Sequence, residues 1–269
     1  MNRVVIVGVG LIGASFGLAL RKAGFAGSIV GVSSPFSIQA AVERGAIDCG
    51  MTLEKAVPIS DLIFLSQPIS GIIATLTQLD PLVRSSMVVT DAGSTKVQVE
   101  KTAMSWLRNC QFVGGHPMAG KAQRGAEAAD ADLFEDRPWI LTSYHEHPVE
   151  VEFRAWLGKI GARILVRDAA THDRLVAWSS HLPQLASTAL AAALHDGQPM
   201  AAGVAGPGLA DMTRLAMSSY DLWRDIIETN QTEIDAALDA YIAKLQNLRS
   251  SLQDEFASGA DFAQNVPRP

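Results

Sequence analysis

Apolar and polar residues follow two alternating patterns along the first half of the chain. Short runs of apolar, mostly β-branched residues predict five strands, at 3–7, 28–32, 61–66, 87–91 and 111–114. Longer stretches with helical spacing separate them, such as the helix predicted over 36–44. Strands that alternate with helices pair in parallel, so this half predicts a doubly wound α/β sheet. Two more strands are predicted on either side of a helix over 149–160, at 139–142 and 163–166.

The second half of the chain changes texture near Arg167. From His172 onward no run is typical of a strand, and helical patterns rich in Ala, Leu and Ser cover 173–195, 200–217 and 220–256. We therefore predict two domains, an α/β domain over 1–167 and an all-α domain over 168–269. Helices this apolar in so small a unit need a partner surface, so we expect a homodimer through the helical domain.

A glycine-rich turn follows the first strand. Residues 8–13 have the pattern G-x-G-x-x-G and open a helical stretch that starts with Leu11 and Ile12. Gly8 suits a tight turn, Gly10 lets a pyrophosphate approach the backbone, and Gly13 lets the helix pack closely on the strand. The N–H groups at the start of such a helix attract phosphates. The turn predicts a Rossmann-type dinucleotide-binding domain, and an ordinary glycine-rich turn is the alternative.

Composition and charge narrow the function classes. The 269 residues are 48% hydrophobic and 19% charged, as in globular proteins, and the net charge is -6 with no basic run. We therefore expect no nucleic-acid partner and no membrane partner, and no apolar stretch reaches the length of a membrane span. Cys49 and Cys110 offer neither a disulfide framework nor a metal site, and His145 and His147 predict a solvated loop. The absence of a targeting pattern predicts a cytoplasmic protein, and we expect no metal.

Two segments that follow predicted strands carry candidate chemistry. In residues 114–117, Gly-Gly-His-Pro, the glycines thin the backbone and the proline keeps His116 extended at the end of the fifth strand. An imidazole there suits proton abstraction from a hydroxyl during hydride transfer, with a structural histidine as the alternative. Ser94 follows the fourth strand and either stands near a nicotinamide or caps the next helix. Its neighbours Asp91 and Lys96 either fix this turn or contact a ligand.

The helical domain offers a histidine and an arginine. His181 precedes Pro183, which kinks a helix and frees carbonyl groups, so His181 is either a core histidine or a cleft residue. Arg214 lies among apolar residues after a Gly-Pro-Gly loop, and a carboxylate held by two hydrogen bonds is its natural partner. An internal salt bridge to Asp211 or Asp221 is the alternative.

Five motifs in this order resemble the prephenate/arogenate dehydrogenase family. They are the glycine turn at 8–13, Asp91-x-Gly93-Ser94-x-Lys96, Gly114-Gly115-His116-Pro117-Met118-Ala119-Gly120, Ser180-His181-Leu182-Pro183, and Asp211-x-Thr213-Arg214 followed by Trp223. The resemblance covers nearly the whole chain. It implies oxidative decarboxylation of a cyclohexadienol in tyrosine biosynthesis, and a dimer built through the helical domain.

The resemblance also implies roles for single residues. His116 accepts the proton of the ring hydroxyl of the substrate, Ser94 hydrogen-bonds that hydroxyl, and Arg214 binds a substrate carboxylate. The residues implied to line the substrate pocket are Ser180, His181 and Trp223. Aromatisation of the ring drives the reaction, so the protein mainly orients and polarises its substrate.

Three departures from the family pattern refine this expectation. Ser33 and Ser34 stand where NAD-specific members carry an acidic residue, which favours NADP, with NAD as the alternative. Gln184 replaces a histidine of many prephenate-using members, which favours arogenate. Lys121 replaces a small hydroxyl residue and either adds charge to the pocket or points to solvent. The predicted cofactor-binding set is Gly8, Gly10, Leu11, Ile12, Gly13, Ser33, Ser34, Gln67, Pro68 and Ser94.

Two other functions are compatible with parts of the sequence. A β-hydroxyacid or imine-type reductase shares this domain order, but usually carries a lysine or aspartate where this chain has Ser180 and His181. A nicotinamide-sensing binding protein would keep the glycine turn without needing His116, Ser94 and Arg214 together.

Overall fold

The computed structural model describes residues 1–143 and 145–266. The described chain forms two compact units. The first contains Met1–Leu175 and Ser218–Thr229, and the second contains Val176–Met217 and the chain from Asn230 onward. This division groups residues that lie in contact with one another. The segment Ser218–Thr229 therefore belongs to the first unit, although it follows part of the second unit in sequence. The domain boundary that we place after residue 167 stays a prediction.

The first unit is built on a six-stranded parallel sheet. Its elements in chain order are β1 (Arg3–Val7), α1 (Leu11–Lys22), β2 (Ser28–Val32), α2 (Pro35–Glu43), β3 (Cys49–Gly50), α3 (Leu53–Ala56), β4 (Leu62–Leu65), α4 (Ile69–Leu79), β5 (Val88–Asp91), α5 (Val97–Trp106) and β6 (Gln111–Val113). The strands lie in the order β3-β2-β1-β4-β5-β6, and all neighbours are parallel. This order confirms the predicted doubly wound sheet. The two-residue β3 was not predicted, because so short a strand shows no hydrophobic periodicity.

A second, three-stranded sheet belongs to the same unit. It consists of β7 (Gly115–Pro117), β8 (Pro138–Leu141) and β9 (Arg163–Val166), and α6 (Pro148–Lys159) lies between the last two strands in sequence. β7 pairs with β8 antiparallel, and β8 pairs with β9 parallel. The two additional strands are therefore confirmed. The placement of His116 at the end of the fifth strand is wrong, because the chain changes sheets after β6 and His116 lies in the middle of β7, opposite Ile140.

Apolar side chains cover both faces of the large sheet. Alternate residues of β1 point to opposite faces, so Ile6 joins one buried cluster and Val7 joins the other. In the first cluster the ring centroid of Phe16 lies 4.5 Å from that of Phe64 and 5.8 Å from that of Trp139. Because Trp139 lies on β8, this aromatic packing ties the small sheet to the large one.

The described chain after β9 contains helices and helical turns and no strand. Its elements are α7 (Ala169–Val176), a π-helical turn (Ala177–His181), α8 (Leu182–Gly197), a 3₁₀ turn (Pro199–Val204), α9 (Pro207–Thr213), a second 3₁₀ turn (Arg214–Met217), α10 (Tyr220–Thr229), α11 (Gln231–Asn247) and α12 (Leu252–Asn265). The helical stretch predicted over 173–195 is confirmed as helical, and it is divided between α7, the π-helical turn and α8. The chain widens into the π-helical turn before Pro183, which lies in the first turn of α8, where its missing N–H costs nothing.

Helix α10 packs within the first unit. Ile226 is buried in the apolar cluster of the sheet, and the hydroxyl oxygens of Thr229 and Thr95 lie 2.7 Å apart. The carboxylate of Asp225 accepts a hydrogen bond of 2.8 Å from the backbone N–H of Ser70, at the start of α4. Hydrogen bonds from Ser70 hold the pKa of Asp225 below its ordinary value.

Residues 1–143 and 145–266 contain neither a membrane span nor a cluster of metal ligands. No helix there is long and apolar enough to cross a membrane, and no group of three or more His, Cys, Asp or Glu side chains could hold a metal ion. Of the two histidines predicted to lie in a solvated loop, His145 is exposed. The Nδ1 of His147 accepts a hydrogen bond from the backbone N–H of Val149 and so caps α6.

Candidate active site

The turn between β1 and α1 has a geometry that requires its glycines. Gly8 has a φ of +91°, and a Cβ there would lie 2.7 Å from the backbone nitrogen of Gln67. A Cβ on Gly13 would lie 2.5 Å from the carbonyl oxygen of Gly8, so glycine alone allows this close packing of α1. A Cβ on Gly10 would meet nothing within 4 Å. α1 begins at Leu11 and its first N–H groups have no intrahelical acceptor, so a diphosphate fits at this turn.

The other predicted cofactor residues lie at the carboxyl ends of neighbouring strands. Ser33 and Ser34 follow β2 and are exposed, and the Ser34 hydroxyl caps α2 by accepting from the backbone N–H of Ser37 at 3.3 Å. Gln67 and Pro68 lie between β4 and α4. Because β2, β1 and β4 are adjacent and parallel, these residues share one edge of the sheet with the glycine turn.

A buried ion pair connects the end of β5 to the start of β7. Asp91 and Lys96 are both fully buried and paired with each other. Lys96 Nζ also donates to the carbonyl oxygen of Gly115 at 2.8 Å. Asp91 accepts from the backbone N–H groups of Gly115 at 3.0 Å and Gly93 at 2.7 Å. Of the two roles considered for Asp91 and Lys96, the structure shows the first, because they fix the turn and the strand that carries His116.

His116 is joined to a series of buried polar groups. It is 8% exposed, and its Nδ1 lies 2.9 Å from Nε2 of His172 on α7. Nδ1 of His172 lies 2.7 Å from Oδ1 of Asp173. The two carboxylate oxygens of Asp173 accept from the backbone N–H groups of Lys96 at 2.7 Å and Val97 at 2.9 Å. The predicted base is therefore held by a histidine and a carboxylate, neither of which was identified from the sequence.

Ser94 is half-buried in the segment between β5 and α5. The alternative in which its hydroxyl caps α5 is wrong. The capping residue of that helix is Lys96, and the first N–H groups are bound by the carboxylate of Asp173. A residue distant in sequence has taken over the cap. The role of Ser94 beside the substrate hydroxyl stays a prediction.

Two predicted substrate residues of the first unit have partners within that unit. Trp223 on α10 is half-buried and packs against the apolar cluster that contains Ile226. Nζ of Lys121 lies 2.6 Å from Oδ2 of Asp130, and each side chain is 36% exposed. The hydrogen bond from Lys121 holds the pKa of Asp130 below its ordinary value. The charge of Lys121 is thus matched locally, and its contact with substrate stays a prediction.

In the second unit, His181 ends the π-helical turn. It is 1% exposed, and its Nδ1 lies 3.3 Å from the amide nitrogen of Asn230. An amide nitrogen can only donate, so Nδ1 accepts and the neutral ring carries its proton on Nε2. This sets His181 as a hydrogen-bond donor. π-helical turns are frequent at functional sites, and half-buried Ser180 lies in the same turn.

Gln184 holds the turn that carries Arg214. Gln184 is buried in the first turn of α8, and its Nε2 donates to the carbonyl oxygen of Leu215 at 2.8 Å and to the hydroxyl of Thr188 at 3.2 Å. A carbonyl can only accept, so the amide nitrogen must face Leu215. Gln184 therefore holds the backbone at Leu215, the residue next to Arg214.

Arg214 is exposed at the start of a 3₁₀ turn. Its predicted alternative was an internal salt bridge to Asp211 or Asp221. Asp221 pairs with Arg224 instead, and within the part of the chain that the structure describes Arg214 has no ion pair. The carboxylate-binding role of Arg214 stays a prediction. No carboxylate among the described residues of the second unit forms an ion pair with its guanidinium.

Three residues that hold His116 and His181 were missed in the sequence. They are His172, Asp173 and Asn230. His172 is 56 residues from His116, and Asn230 is 49 residues from His181. The one available signal was the adjacent pair His172 and Asp173 at the start of the helical half. Both side chains are buried in the structure.

A doubly wound parallel sheet with a glycine turn after its first strand defines the class of dinucleotide-binding α/β proteins. Family models place the chain within that class. The nucleotide-binding domain of prephenate dehydrogenase matches residues 16–166, and the dimerization domain of prephenate dehydrogenase matches residues 168–262. The chain belongs to the prephenate dehydrogenase family. This confirms the resemblance seen in the motifs, and with it the fold class of an α/β domain followed by a helical domain.

Individual relatives agree with the family. The chain is 32% identical to a prephenate dehydrogenase of Lactococcus lactis over 236 residues, which are 86% of this chain and 65% of that relative. It is 30% identical to the crystal structure of Synechocystis arogenate dehydrogenase, with a TM-score of 0.82, covering 98% of this chain and 100% of that one. Prephenate dehydrogenase from Aquifex aeolicus, in complex with hydroxyphenyl propionate and NAD+, is 30% identical with a TM-score of 0.83, covering 99% and 96%.

Proposed function

We propose that this protein oxidatively decarboxylates arogenate to tyrosine with hydride transfer to NADP, and converts prephenate to 4-hydroxyphenylpyruvate less well. An NAD-linked prephenate dehydrogenase is the alternative. One observation carries the proposal: in a chain of this family, His116 is buried on a strand clamped by Asp91 and Lys96, with its Nδ1 bound to His172. A histidine held in this way suits a general base.

The proposed chemistry needs few groups from the protein. A nicotinamide dinucleotide bound at the glycine turn supplies the hydride acceptor. His116 takes the proton of the ring hydroxyl while the ring C–H bond gives up its hydride, and the ring carboxylate leaves as carbon dioxide. Ser94 hydrogen-bonds the same hydroxyl, and Arg214 holds a substrate carboxylate. Because the ring becomes aromatic, orientation and polarisation are the main tasks of these residues.

The preference for NADP rests on the end of β2. Ser33 and Ser34 are exposed there, and neither carries the carboxylate that binds ribose hydroxyls and repels a 2′-phosphate. Ser34 already orders the first turn of α2 by its cap, so the hydroxyl-rich segment is presented in a defined conformation. The Aquifex aeolicus relative is complexed with NAD+, which keeps NAD as the alternative.

The preference for arogenate rests on the amide of Gln184. Leu215 and Thr188 take both of its amide hydrogens, so the group with remaining hydrogen-bonding capacity is the acceptor Oε1. The two substrates differ only in the side chain, where arogenate has an ammonium and prephenate a keto group. An ammonium donates to such an oxygen, whereas a keto oxygen needs a donor. The name of the Synechocystis relative points the same way.

We also propose a homodimer through the helical unit. The match of residues 168–262 to a dimerization domain supports it. So do large apolar side chains that are exposed on this unit, namely Met200, Val204, Met212, Met217, Phe256 and Phe262. Exposed apolar surface of this kind marks association sites. Sedimentation equilibrium should give twice the chain mass of 28.6 kDa, and a monomer at micromolar concentration would contradict this part of the proposal.

A four-way turnover assay tests the proposed reaction. The purified protein is supplied with arogenate or prephenate and with NADP or NAD, and the reduced cofactor and carbon dioxide are both measured. We expect the highest kcat/KM with arogenate and NADP, and one carbon dioxide released for each cofactor reduced. Absence of turnover with all four pairs would overturn the function, whereas a preference for prephenate or NAD would overturn only the finer assignment.

A further inference from the structure

We propose that Asp173 and His172 are positioning residues that fix the tautomer of His116, so that its Nε2 is unprotonated before the reaction and accepts the substrate proton. The inference rests on the proposed function only for the identity of the substrate. The tautomer itself is a property of the protein alone. It assigns a function to two buried polar residues that otherwise have none in the reaction.

The argument starts at the carboxylate. Asp173 is 2% exposed, and its two carboxylate oxygens accept hydrogen bonds from the backbone N–H groups of Lys96 and Val97. An ionised carboxylate can only accept. The Nδ1 of His172, 2.7 Å away, must therefore carry a proton and donate it to Asp173.

The tautomer of one ring then fixes the tautomer of the next. A neutral His172 with its proton on Nδ1 presents an unprotonated Nε2. That nitrogen lies 2.9 Å from Nδ1 of His116, which must donate. A neutral His116 with its proton on Nδ1 has an unprotonated Nε2, which is the nitrogen able to take up a proton. Two imidazoles in series thus carry the orientation set by Asp173 to the reacting atom.

The same arrangement stabilises the product of the proton transfer. When the substrate O–H bond breaks, a new N–H bond forms at Nε2 of His116 and the ring becomes an imidazolium. Its charge faces Nε2 of His172, which is polarised by the carboxylate behind it. No proton needs to move along the series, in accord with the way a buried aspartate orients a catalytic histidine. The imidazolium then returns its proton to the phenolate oxygen that decarboxylation leaves, so the product is a phenol and His116 is neutral again.

The surroundings hold this series in place. His172 is fully buried, and the N–H groups that bind Asp173 belong to the first turn of α5. The other charged groups nearby are the Asp91–Lys96 pair and Glu100. Burial raises the pKa of the Glu100 carboxyl. The Asp91–Lys96 pair holds the strand that carries His116.

Substitution of His172 tests the proposal in two directions. His172→Leu removes the acceptor for Nδ1 of His116, and we expect kcat to fall by about 10- to 100-fold, part of the 10²–10⁴ that a general base contributes. The acid limb of the pH profile of kcat should move to lower pH, because the imidazolium of His116 loses its hydrogen-bond partner. His172→Gln keeps an amide oxygen as acceptor for His116 and an amide N–H as donor to Asp173, so it should restore most of kcat and the position of the limb. His195→Gln, at an exposed histidine, is the matched control.

Imidazole ¹⁵N shifts give a readout that does not depend on activity. We expect His116 to be protonated on Nδ1 in the wild type and in His172→Gln, and to show a mixture of tautomers in His172→Leu. If wild-type His116 carries its proton on Nε2, the proposal is wrong. It is also wrong if the folded His172→Leu keeps wild-type kcat and pH profile. A wild type that turns over neither substrate would overturn the proposed function and leave the ¹⁵N result as the decision on the tautomer.

Discussion

Each compact unit contains one of the two histidines that the motifs identified, His116 and His181, and a different side chain holds the Nδ1 of each. In the first unit His116 is bound to His172, which is bound to the carboxylate of Asp173. In the second unit His181 faces the amide nitrogen of Asn230. A carboxylate behind one ring and an amide beside the other give opposite tautomers. His116 is set to accept a proton at Nε2, and His181 is set to donate a hydrogen bond from Nε2.

We expect this difference to separate proton transfer from substrate recognition. An acceptor backed by negative charge suits proton abstraction, whereas a neutral donor suits the binding of a substrate oxygen. The Asp91–Lys96 pair holds the strand that carries His116. The second unit also contains Gln184, which holds Leu215, and the exposed Arg214. We therefore expect substitutions at His116 and its partners to lower kcat, and substitutions at Arg214 and Gln184 to change KM or substrate choice.

The largest effect should come from His116→Asn, which removes the base itself. An amide cannot take up the proton, so kcat should fall by about 10²–10⁴. Binding of the cofactor should survive, because the glycine turn is untouched. His195→Asn is the matched control. Steady-state kinetics combined with cofactor titration by fluorescence measure both quantities, and a folded variant with near-wild-type kcat would remove His116 from the chemistry.

Arg214→Ala probes the recognition side of the comparison. Loss of one partner from a desolvated charged hydrogen-bonded pair costs about 2–5 kcal/mol, so KM for the substrate should rise by roughly 30-fold or more. The free protein should keep its melting temperature, because Arg214 has no ion pair within the described chain. Arg249→Ala, at another exposed arginine of the helical unit, serves as the control. An unchanged KM with a lowered kcat would contradict the assignment of substrate recognition to Arg214.

Ser33→Asp tests the cofactor edge of the first unit. A carboxylate at the end of β2 repels a 2′-phosphate and binds ribose hydroxyls, so the ratio of kcat/KM for NADP over NAD should fall by at least about tenfold. Ser105→Asp, an exposed position on α5, controls for the added charge. A wild type that favours NAD tenfold or more would show that the serines had been misinterpreted.

Gln184→His should have the smallest effect. The gain or loss of one hydrogen bond to the substrate side chain is worth about 0.5–1.5 kcal/mol, so kcat/KM should move toward prephenate by roughly 2- to 10-fold. Gln198→His, exposed at the end of α8, is the control. An unchanged substrate ratio with a reduced activity for both substrates would mean that Gln184 acts only by holding Leu215, and not by contacting the substrate.

The two units also differ in how far the sequence predicts them. Hydrophobic periodicity predicted the strands of the large sheet and the helical second half, because each pattern is local. It missed the short strands β3 and β7, the second of which carries His116, because such strands depend on pairing with neighbouring strands. It also missed the π-helical turn before Pro183, which depends on how neighbouring residues place the proline. The motifs identified His116 and His181 as candidate site residues. The residues that fix their tautomers, Asp173 with His172 and Asn230, come from distant parts of the chain and leave almost no mark in a local pattern.

One spectrum tests the central contrast most directly. A long-range ¹H–¹⁵N correlation of the wild-type imidazoles, recorded at about pH 8.5 where a histidine of ordinary pKa is neutral, reports which nitrogen of each ring is protonated. We predict that His116 is protonated on Nδ1 and His181 on Nε2, with assignments from His116→Asn and His181→Asn. The same tautomer on both rings would contradict the account, because the carboxylate and the amide would then not set the roles of the two histidines.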